Sequence, residues 1–229
     1  MVYRSDRSTG GLSLHPVVAP KPRETGFGRF YRRYVKRALD TALVLASAPV
    51  SLPLIAVAAG MVALDGGKPF YSQTRLGKDG RHFRIWKLRS MVVDADARLN
   101  DHLASDPEAQ AQWARTQKLK SDPRVTRIGR VLRKTSLDEL PQLFNVLNGT
   151  MSLVGPRPMM VEQRDLYHGS AYYELRPGIT GLWQVSERNE AEFVARVRYD
   201  DEYDRTLSFA GDLRILARTV SVVLRGTGC

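Results

Sequence analysis

The sequence predicts a mostly helical α+β fold, made of a re-entrant membrane helix hairpin and a small domain with a short β-hairpin and amphipathic helices. A long apolar segment at residues 38–64 predicts the membrane element. Two β-prone runs flank a glycine-containing turn at residues 77–80, as in a β-hairpin. Apolar residues recur at helical spacing through much of the remaining chain. At 229 residues, the chain has room for one domain of moderate size, with or without a membrane element.

The apolar segment contains one charged residue, Asp40, near its start. A straight helix of this length would reach about 40 Å, enough to cross a bilayer core of about 30 Å. Pro49 and Pro53 lie in the middle of the segment, and each removes a helix hydrogen bond. Ser47 and Ser51 lie beside them, where they can bond backbone groups that the prolines free.

Both flanks of the apolar segment are basic, and basic flanks favour the cytoplasmic side. A helix that bends at the prolines and returns to the same leaflet satisfies both flanks, whereas a kinked spanning helix remains the alternative. We therefore predict a disordered polar tail over residues 1–33, a re-entrant membrane helix over 34–67 and a cytoplasmic domain over 68–229. The basic flanking residues are Arg29, Arg32, Arg33, Lys36 and Arg37 before the segment, and Lys68, Arg75, Lys78, Arg81, Arg84, Lys87 and Arg89 after it.

The charge balance is strongly positive, with 35 Lys and Arg against 24 Asp and Glu and a net charge of +11. Such an excess favours an anionic partner, which could be nucleic acid, acidic lipid headgroups or a phosphate-rich substrate. The single cysteine, Cys229, excludes an intramolecular disulfide and fits a reducing compartment. The 4 histidines are scattered singly and form no zinc-ligand spacing.

Local signals predict the order of elements after the β-hairpin. A polar helix should run over residues 92–118 with a break at Pro107. Two prolines should hold Arg157 in a rigid turn after a short extended piece. The remaining predicted elements are a helical run on both sides of Ser136, a polar helix over 159–173, a strand-like stretch over 176–185, and helices near 190–206 and 212–225.

The last predicted helix carries one apolar stripe, formed by Leu213, Leu216, Val220 and Val223. This pattern suits a helix that packs on a core or one that lies among lipid headgroups. The sequence leaves the two alternatives open.

The segment from Ser136 to Glu139 has the pattern of a helix capping box, with Ser136 as cap and Glu139 reaching back. Pro141 lies later than the position where proline suits a helix start, so the regular helix could begin only there. Adjacent acids such as Asp138 and Glu139 point in different directions and cannot form a facing acid–base pair. They could still serve one site as nucleophile and as base or metal ligand.

Arginines lie in or beside predicted turns. Arg133 precedes the acidic pair, Arg157 lies between prolines, and Arg176 precedes a Pro-Gly turn. A pyrophosphate site uses such guanidinium groups, although each arginine alone is commonly a solvated surface charge. Asp200 lies in an acidic stretch that by default forms a solvated helix face.

Three motifs in order resemble the bacterial sugar transferases that start glycan assembly, the monotopic polyprenyl-phosphate hexose-1-phosphate (phosphoglycosyl) transferases. They are KLRSM at 87–91, SLDELPQLFNVLNGTMSLVGPRP at 136–158 and RPGITGLWQV at 176–185. The resemblance extends from about Tyr34 to Arg225. The polar insert over 94–123 is most similar to that of members that start exopolysaccharide repeats with galactose or glucose phosphate.

The resemblance implies a two-step reaction. Asp138 attacks the sugar-bearing phosphorus of a UDP-sugar, releases UMP and holds the sugar phosphate as an acyl phosphate, which polyprenyl (undecaprenyl) phosphate then accepts. Glu139 assists as base or metal ligand, and Asp138 and Glu139 hold Mg²⁺. The resemblance also implies phosphate-binding roles for Lys87, Arg133, Arg157 and Arg176 and a site role for Asp200. It implies a membrane-helix break at the Ala48-Pro49 step, in agreement with the break that the residues themselves predict at Pro49 and Pro53.

The resemblance further implies a location at the bacterial cytoplasmic (inner) membrane, in contact with its lipid, with the catalytic domain facing the cytoplasm. Nucleic acid is not an expected partner, and homo-oligomer formation is left open. The chain departs from the family at Ala48, where many members have serine before the proline, and at residues 187–189, where many have Gly-Arg-Asn. Only a short polar tail precedes Tyr34, which implies the family's minimal form without further spanning helices. A non-catalytic basic protein on the membrane surface, binding acidic lipid or nucleic acid, fits the charge equally well but gives no reason for the ordered motifs.

Overall fold

The computed structural model describes residues 26–117, 119, 121–186 and 193–224. Within these residues the chain is mostly helical with two small sheets, as predicted. The α-helices are α1 (Gly26–Phe30), α2 (Lys36–Leu64), α3 (Ala95–Ser105), α4 (Pro107–Thr116), α5 (Arg127–Thr135), α6 (Gln142–Leu147), α7 (Ala171–Glu174), α8 (Leu182–Ser186), α9 (Arg196–Thr206) and α10 (Phe209–Leu224). The strands are β1 (Phe70–Leu76), β2 (His82–Leu88), β3 (Ser152–Val154) and β4 (Gly178–Thr180); a π-helical turn spans Tyr31–Val35, and 3₁₀ turns span Lys78–Gly80, Leu137–Glu139, Val161–Leu166 and Phe193–Ala195.

Helix α2 contains the apolar segment. Together with the residues from Gly28 onward, it is long and apolar enough to cross a membrane. It is a single helix with Pro49 and Pro53 inside it, where the sequence predicted a bent hairpin. The Ser47 hydroxyl donates a hydrogen bond to the Val44 carbonyl over 2.9 Å, just before Pro49, as expected for a serine beside a proline. The re-entrant course stays a prediction.

Both ends of α2 pack against the rest of the chain. Near its start, Asp40 accepts hydrogen bonds from the Ser152 hydroxyl at 2.6 Å and the Leu153 backbone N–H at 3.2 Å. Near its end, Ala58 and Val62 join a buried cluster with residues of β2 and α5. Helix α2 is therefore attached to the same domain at two separated points.

The predicted β-hairpin is present. Strands β1 and β2 pair antiparallel from Phe70 opposite Leu88 to Leu76 opposite His82. The turn between them includes Asp79 with a φ of 58°, a left-handed conformation that aspartate tolerates. Strands β3 and β4 form a second, parallel pair.

The predicted break of the polar helix is also present. Helix α3 ends at Ser105 and α4 begins at Pro107. Between them, the Asp106 carboxylate caps α4 by accepting hydrogen bonds from the backbone N–H groups of Glu108 and Ala109. Proline is well suited to this first helical position because it has no N–H to satisfy.

The predicted capping box at Ser136 is wrong. Ser136 has a φ of 57° and ends α5, because its backbone N–H bonds back to the carbonyls of Leu132 and Arg133. The acidic pair then lies in the short 3₁₀ turn, and α6 begins only at Gln142, directly after Pro141. The later helix start that Pro141 suggested is thus confirmed.

The polar helix predicted over residues 159–173 is wrong as a single helix. A 3₁₀ turn and the short α7 replace it, with Gly169 between them. The Tyr172 hydroxyl donates to the Leu76 carbonyl at 2.6 Å and accepts from the Met159 N–H at 3.0 Å. Packing of this buried tyrosine on the β-hairpin therefore determines the local path more than helix propensity does.

The predicted tail boundary at residue 33 lies too late, because the described chain is already helical at Gly26. Residues 1–25 lie outside the described residues. The buried Tyr31 hydroxyl donates to the Asp212 carboxylate at 2.7 Å, and Arg32 forms an ion pair with Asp204. Sequence alone does not indicate these partners, which lie more than 170 positions away.

Helix α10 turns most of its predicted apolar stripe outward. Leu213 and Val220 are 56% and 59% exposed, whereas Ile215 and Asp212 are buried. Of the two alternatives left open for this stripe, a surface that faces lipid agrees with the exposure.

Candidate active site

A cavity of about 750 Å³ lies between the β-hairpin, the α3–α4 insert and the segment from α5 to the loop after β3. Its walls combine cationic, acidic and apolar side chains. The cavity brings together the acidic pair and three of the four predicted phosphate-binding residues: Asp138, Glu139, Lys87, Arg133 and Arg157.

Asp138 is the more buried member of the acidic pair, with 7% of its surface exposed. Burial raises the pKa of the Asp138 carboxyl, and the Lys87 cation opposes this by favouring the ionised form. The Glu139 charge raises the pKa further, while Arg133 and Arg157 lower it. Cations on several elements therefore favour the ionised form of Asp138 at a site from which water is largely excluded.

Glu139 is held by two cations. Its Oε1 accepts a hydrogen bond from the Lys87 ammonium at 2.8 Å and from the Arg157 guanidinium at 3.4 Å. Lys87 comes from β2, and Arg157 from the proline-flanked loop after β3. This cluster joins three parts of the chain around the turn that carries Asp138.

The side chain of Asn145 fixes β2 relative to the acidic turn. Its amide oxygen accepts from the Trp86 backbone N–H at 3.0 Å, and its amide nitrogen donates to the Arg84 carbonyl at 2.8 Å. Asn145 is 1% exposed and lies on α6, the helix that directly follows the acidic turn. The distance between Lys87 and the acidic pair is therefore set by buried hydrogen bonds.

Close packing of α5 positions Arg133. A side chain at Gly129 would collide with the backbone of Ser90, since an added Cβ would lie 2.0 Å from its carbonyl oxygen. This close approach lets the Arg133 Nε donate to the Ser90 hydroxyl at 2.9 Å. Arg133 thus faces the cavity from a fixed position at the end of α5.

A second cavity, of about 240 Å³, adjoins the first and is almost entirely apolar. Leu54 of α2 and Val223 of α10 contribute to its walls, so it lies beside the apolar helix. Glu139 and Arg157 line both cavities. The acidic turn therefore lies between a large cavity that contains charged side chains and a small apolar crevice.

A family model described as bacterial sugar transferase matches residues 22–226. The chain belongs to the bacterial sugar transferase family. The resemblance drawn from the three sequence motifs is thereby confirmed.

Three relatives illustrate the range of lengths in which this sugar transferase sequence occurs. The UDP-galactose-lipid carrier transferase of Erwinia amylovora is 46% identical over 198 residues, which cover 86% of this chain and 42% of the relative. The undecaprenyl-phosphate galactose phosphotransferase of Salmonella typhimurium is 44% identical, with the same coverage of 86% and 42%. The exopolysaccharide production protein ExoY of Sinorhizobium fredii is 41% identical over 210 residues, which cover 90% of this chain and 93% of the relative. The chain thus spans less than half the length of the first two relatives and nearly all of the third.

Asp200 of this sugar transferase lies on α9 and is buried, so the solvated helix face expected from its acidic stretch is wrong at this position. Its carboxylate accepts a hydrogen bond from the Tyr167 hydroxyl at 2.9 Å. Burial raises the pKa of Asp200 to about 7, while the Tyr167 hydrogen bond and the Arg196 charge oppose the rise. Asp200 supports Arg196 electrostatically, and it is Arg196 that lines the large cavity.

Arg176, which was predicted to bind phosphate, does not line either of these two cavities. Its side chain is exposed, and its Nε donates to the Gly149 carbonyl at 3.0 Å. Gly149 follows the C-terminus of α6, where unsatisfied carbonyl groups attract cations. The Arg37 guanidinium contacts the same helix end through the carbonyls of Val146 and Leu147. Arg176 therefore contributes to the structure of this turn, and its phosphate-binding role stays a prediction.

Sequence reasoning missed two cavity residues, Arg75 and Arg196. Arg75 was noted only as part of a basic flank, although its position on a hairpin strand, two residues before Gly77, was a usable signal. No local signal marked Arg196, whose aromatic neighbours Trp183 and Phe193 come from elsewhere in the chain.

The acidic pair can be tested for its fit to Mg²⁺. In the described part of the chain, no three His, Cys, Asp or Glu side chains group to hold a metal ion. Mg²⁺ usually binds one or two carboxylates together with water and substrate phosphates, so it needs no larger protein cage. Asp138 and Glu139, which both line the cavity, fit that pattern.

Proposed function

We propose that this chain transfers hexose-1-phosphate, of the galactose or glucose type, from a UDP-sugar to polyprenyl (undecaprenyl) phosphate. UMP leaves, and the product starts the repeat of an exopolysaccharide or another surface glycan. One observation carries the proposal: the buried Asp138 shares the large cavity with several cations, next to an apolar crevice beside the apolar helix α2. The names of the relatives, which refer to UDP-galactose, a lipid carrier and undecaprenyl phosphate, support the same assignment.

In the first step, a carboxylate oxygen of Asp138 attacks the sugar-bearing phosphorus. The bond between that phosphorus and the oxygen bridging to UMP breaks, and UMP leaves with the bonding electrons. The sugar phosphate stays on Asp138 as a mixed anhydride. In the second step, a phosphate oxygen of the lipid attacks the same phosphorus, which regenerates the Asp138 carboxylate and forms a lipid diphosphate sugar.

The cations around the acidic turn stabilise this reaction electrostatically. Lys87, Arg133 and Arg157 come from different elements, so they can surround a phosphoryl group without moving. Fixed positive charge in a partly dry cavity stabilises the charge on the phosphoryl oxygens more than water would. Glu139, which two of these cations hold, would assist as base or metal ligand.

Mg²⁺ belongs to this proposal as a cofactor held by Asp138 and Glu139. When bound, the ion would neutralise negative charge on the donor diphosphate. The protein side chains would still orient the substrate and keep water from the phosphorus.

The apolar crevice supports a lipid acceptor. Its wall includes Leu54, from the part of α2 that exposes Val50, Leu52 and Val57. An isoprenoid chain lying there would enter from the hydrocarbon region, with its phosphate beside Glu139 and Arg157. A water-soluble donor would reach the same residues from the large cavity.

The attachment of α2 supports the re-entrant course. Asp40 at one end and Val62 at the other both contact the catalytic domain. A helix that crossed the membrane would carry one of these ends to the opposite face, away from a domain on the cytoplasmic side. We therefore propose that both ends remain at the cytoplasmic face of the inner membrane.

UMP release tests the proposed function. Detergent-purified protein is incubated with UDP-galactose or UDP-glucose, with and without undecaprenyl phosphate. We expect continuous UMP release from at least one donor only when the lipid phosphate is present. Folded protein that releases no UMP from a full panel of UDP-sugars in the presence of the lipid would refute the proposal.

A further inference from the structure

Among the arginines that line the large cavity, three come from separate elements: Arg75 from β1, Arg157 from the loop after β3 and Arg196 from α9. Of these three, Arg157 contacts the acidic pair, with its guanidinium 3.4 Å from Glu139 Oε1. The other two form a group of their own on the cavity wall.

Arg75 and Arg196 both keep unused hydrogen-bonding capacity. The Nε atoms of the two side chains are buried and have no hydrogen-bond partner among the described residues. Arg196 is 7% exposed. A buried N–H without a partner is costly, so such donors are expected to meet an acceptor when the site is filled.

Aromatic rings hold Arg196 in place. Its guanidinium carbon lies 4.4 Å from the centre of the Trp183 ring and 4.5 Å from that of Phe193. Ring contacts orient the guanidinium plane without using its N–H donors. The side chain is thereby fixed, and its donor edge remains available to a ligand.

The three cations lie close enough to affect one another. Burial lowers the pKa of Arg75 and of Arg196, and the charge of Arg157 lowers both further. Guanidinium groups stay protonated at neutral pH despite such shifts. The cavity wall therefore concentrates positive charge that a multiply charged anion would neutralise.

We propose that Arg75 and Arg196, together with Arg157, bind the phosphate of the nucleoside monophosphate that leaves in the first step. This inference rests on the proposed function. Arg157 contacts Glu139 at 3.4 Å and lines the same cavity as Arg75 and Arg196, so the arginine pair and the acidic turn face one shared space. The leaving phosphate of an in-line displacement lies opposite the nucleophile, where the pair would meet it.

Direct binding of UMP and of uridine tests the proposal without requiring turnover. Calorimetry is performed on wild type, Arg75→Gln, Arg196→Gln and the matched control Arg84→Gln, which removes an exposed arginine from the same hairpin. We expect each cavity variant to bind UMP at least about tenfold more weakly, because a charge-assisted contact is lost. Uridine affinity and the control variant should match the wild type.

The outcomes separate this inference from the proposed function. Wild type that binds UMP but transfers no sugar would refute the proposed function, whereas active variants with unchanged UMP affinity would refute the arginine site alone. Equal losses of UMP and uridine affinity would assign the arginines a structural role and overturn the inference. A raised KM for the lipid phosphate with unchanged UMP affinity would overturn it as well. If Arg196→Gln fails to fold, Arg196→Lys and Arg75→Gln carry the test.

Discussion

Lys87 donates a hydrogen bond to Glu139 over 2.8 Å, and this ion pair joins the β-hairpin to the turn that carries Asp138. Both side chains are mostly shielded from solvent, at 21% and 15% exposure. Lys87 therefore has two effects, because it orients Glu139 and favours the ionised form of Asp138.

Replacing Lys87 with methionine should lower transfer activity and move the acidic limb of the pH profile of kcat/KM to higher pH. Burial already raises the pKa of Asp138, and loss of the Lys87 cation would raise it further. A protonated Asp138 cannot attack phosphorus, so activity is lost first at low pH. We expect kcat/KM to fall roughly 100-fold near neutrality. The pH profile of kcat/KM measures both effects. Lys78→Met, in the exposed hairpin turn, is the control and should keep the wild-type profile. An unshifted acidic limb in Lys87→Met would contradict the role of Lys87.

Replacing Asp200 with asparagine should flatten the dependence of stability on pH. The folded carboxyl titrates near pH 7 and an unfolded one near 3.9, so between these values only the folded state keeps the proton. The free energy of unfolding of the wild type therefore falls as pH rises through this window. Between pH 5 and the folded pKa of about 7, two pH units at about 1.4 kcal/mol each give a loss of about 3 kcal/mol. Denaturant unfolding at pH 5 and pH 8 measures this loss in the free energy of unfolding. Glu202→Gln, on the exposed face of the same helix, should keep the wild-type slope; an Asp200→Asn variant that also keeps it would exclude this titration.

Both ends of α2 should be accessible from the cytoplasmic side. Lys36 and Lys68 mark the two ends, but Lys36 pairs with Asp212, so the exposed Arg33 is the better position for a probe. In a background lacking Cys229, we expect Arg33→Cys and Lys68→Cys to react with an impermeant thiol reagent in inside-out membrane vesicles only. Labelling of the two positions from opposite sides would show a spanning helix.

Replacing Val223 with glutamine should weaken use of the lipid acceptor and leave the donor step intact. Val223 lines the apolar crevice, whereas Val220 on the same helix does not. A polar side chain would reduce apolar contact with the isoprenoid chain, so we expect kcat/KM for undecaprenyl phosphate to fall roughly three- to tenfold. The UMP burst without acceptor should stay unchanged, as should both quantities in Val220→Gln. A weaker burst with normal acceptor kinetics would place the lipid elsewhere.

Local sequence signals predicted the elements whose conformation depends on near neighbours. The β-hairpin follows from alternating residues around a glycine turn, and the break before Pro107 follows from the proline itself. The predicted capping box was wrong because Ser136 adopts a left-handed conformation that ends α5. The residue pattern around Ser136 fits a helix start equally well, so the short-range signal could not distinguish the two.

The composition of the site was predictable only in part, because some of its contacts join residues that are far apart in the chain. The family motifs contain Lys87, Asp138 and Arg157, which the fold brings together as expected. The contact of Arg176 was not predictable, because its partner is a helix-end carbonyl 27 residues away. Arg196 escaped notice because long-range contacts with Trp183 and neighbouring cations determine its role.

The central claim is that Asp138 is the nucleophile that carries the sugar phosphate. Its most direct test is the intact mass of the protein after incubation with the UDP-sugar donor in the absence of lipid phosphate. We predict that wild type and the exposed-surface control Asp101→Asn gain the mass of one hexose phosphoryl group, release an equal amount of UMP and lose the added mass when undecaprenyl phosphate is supplied. Asp138→Asn should show neither the added mass nor UMP release. An Asp138→Asn variant that still gains the group, or a wild type that turns over without ever carrying it, would contradict the account.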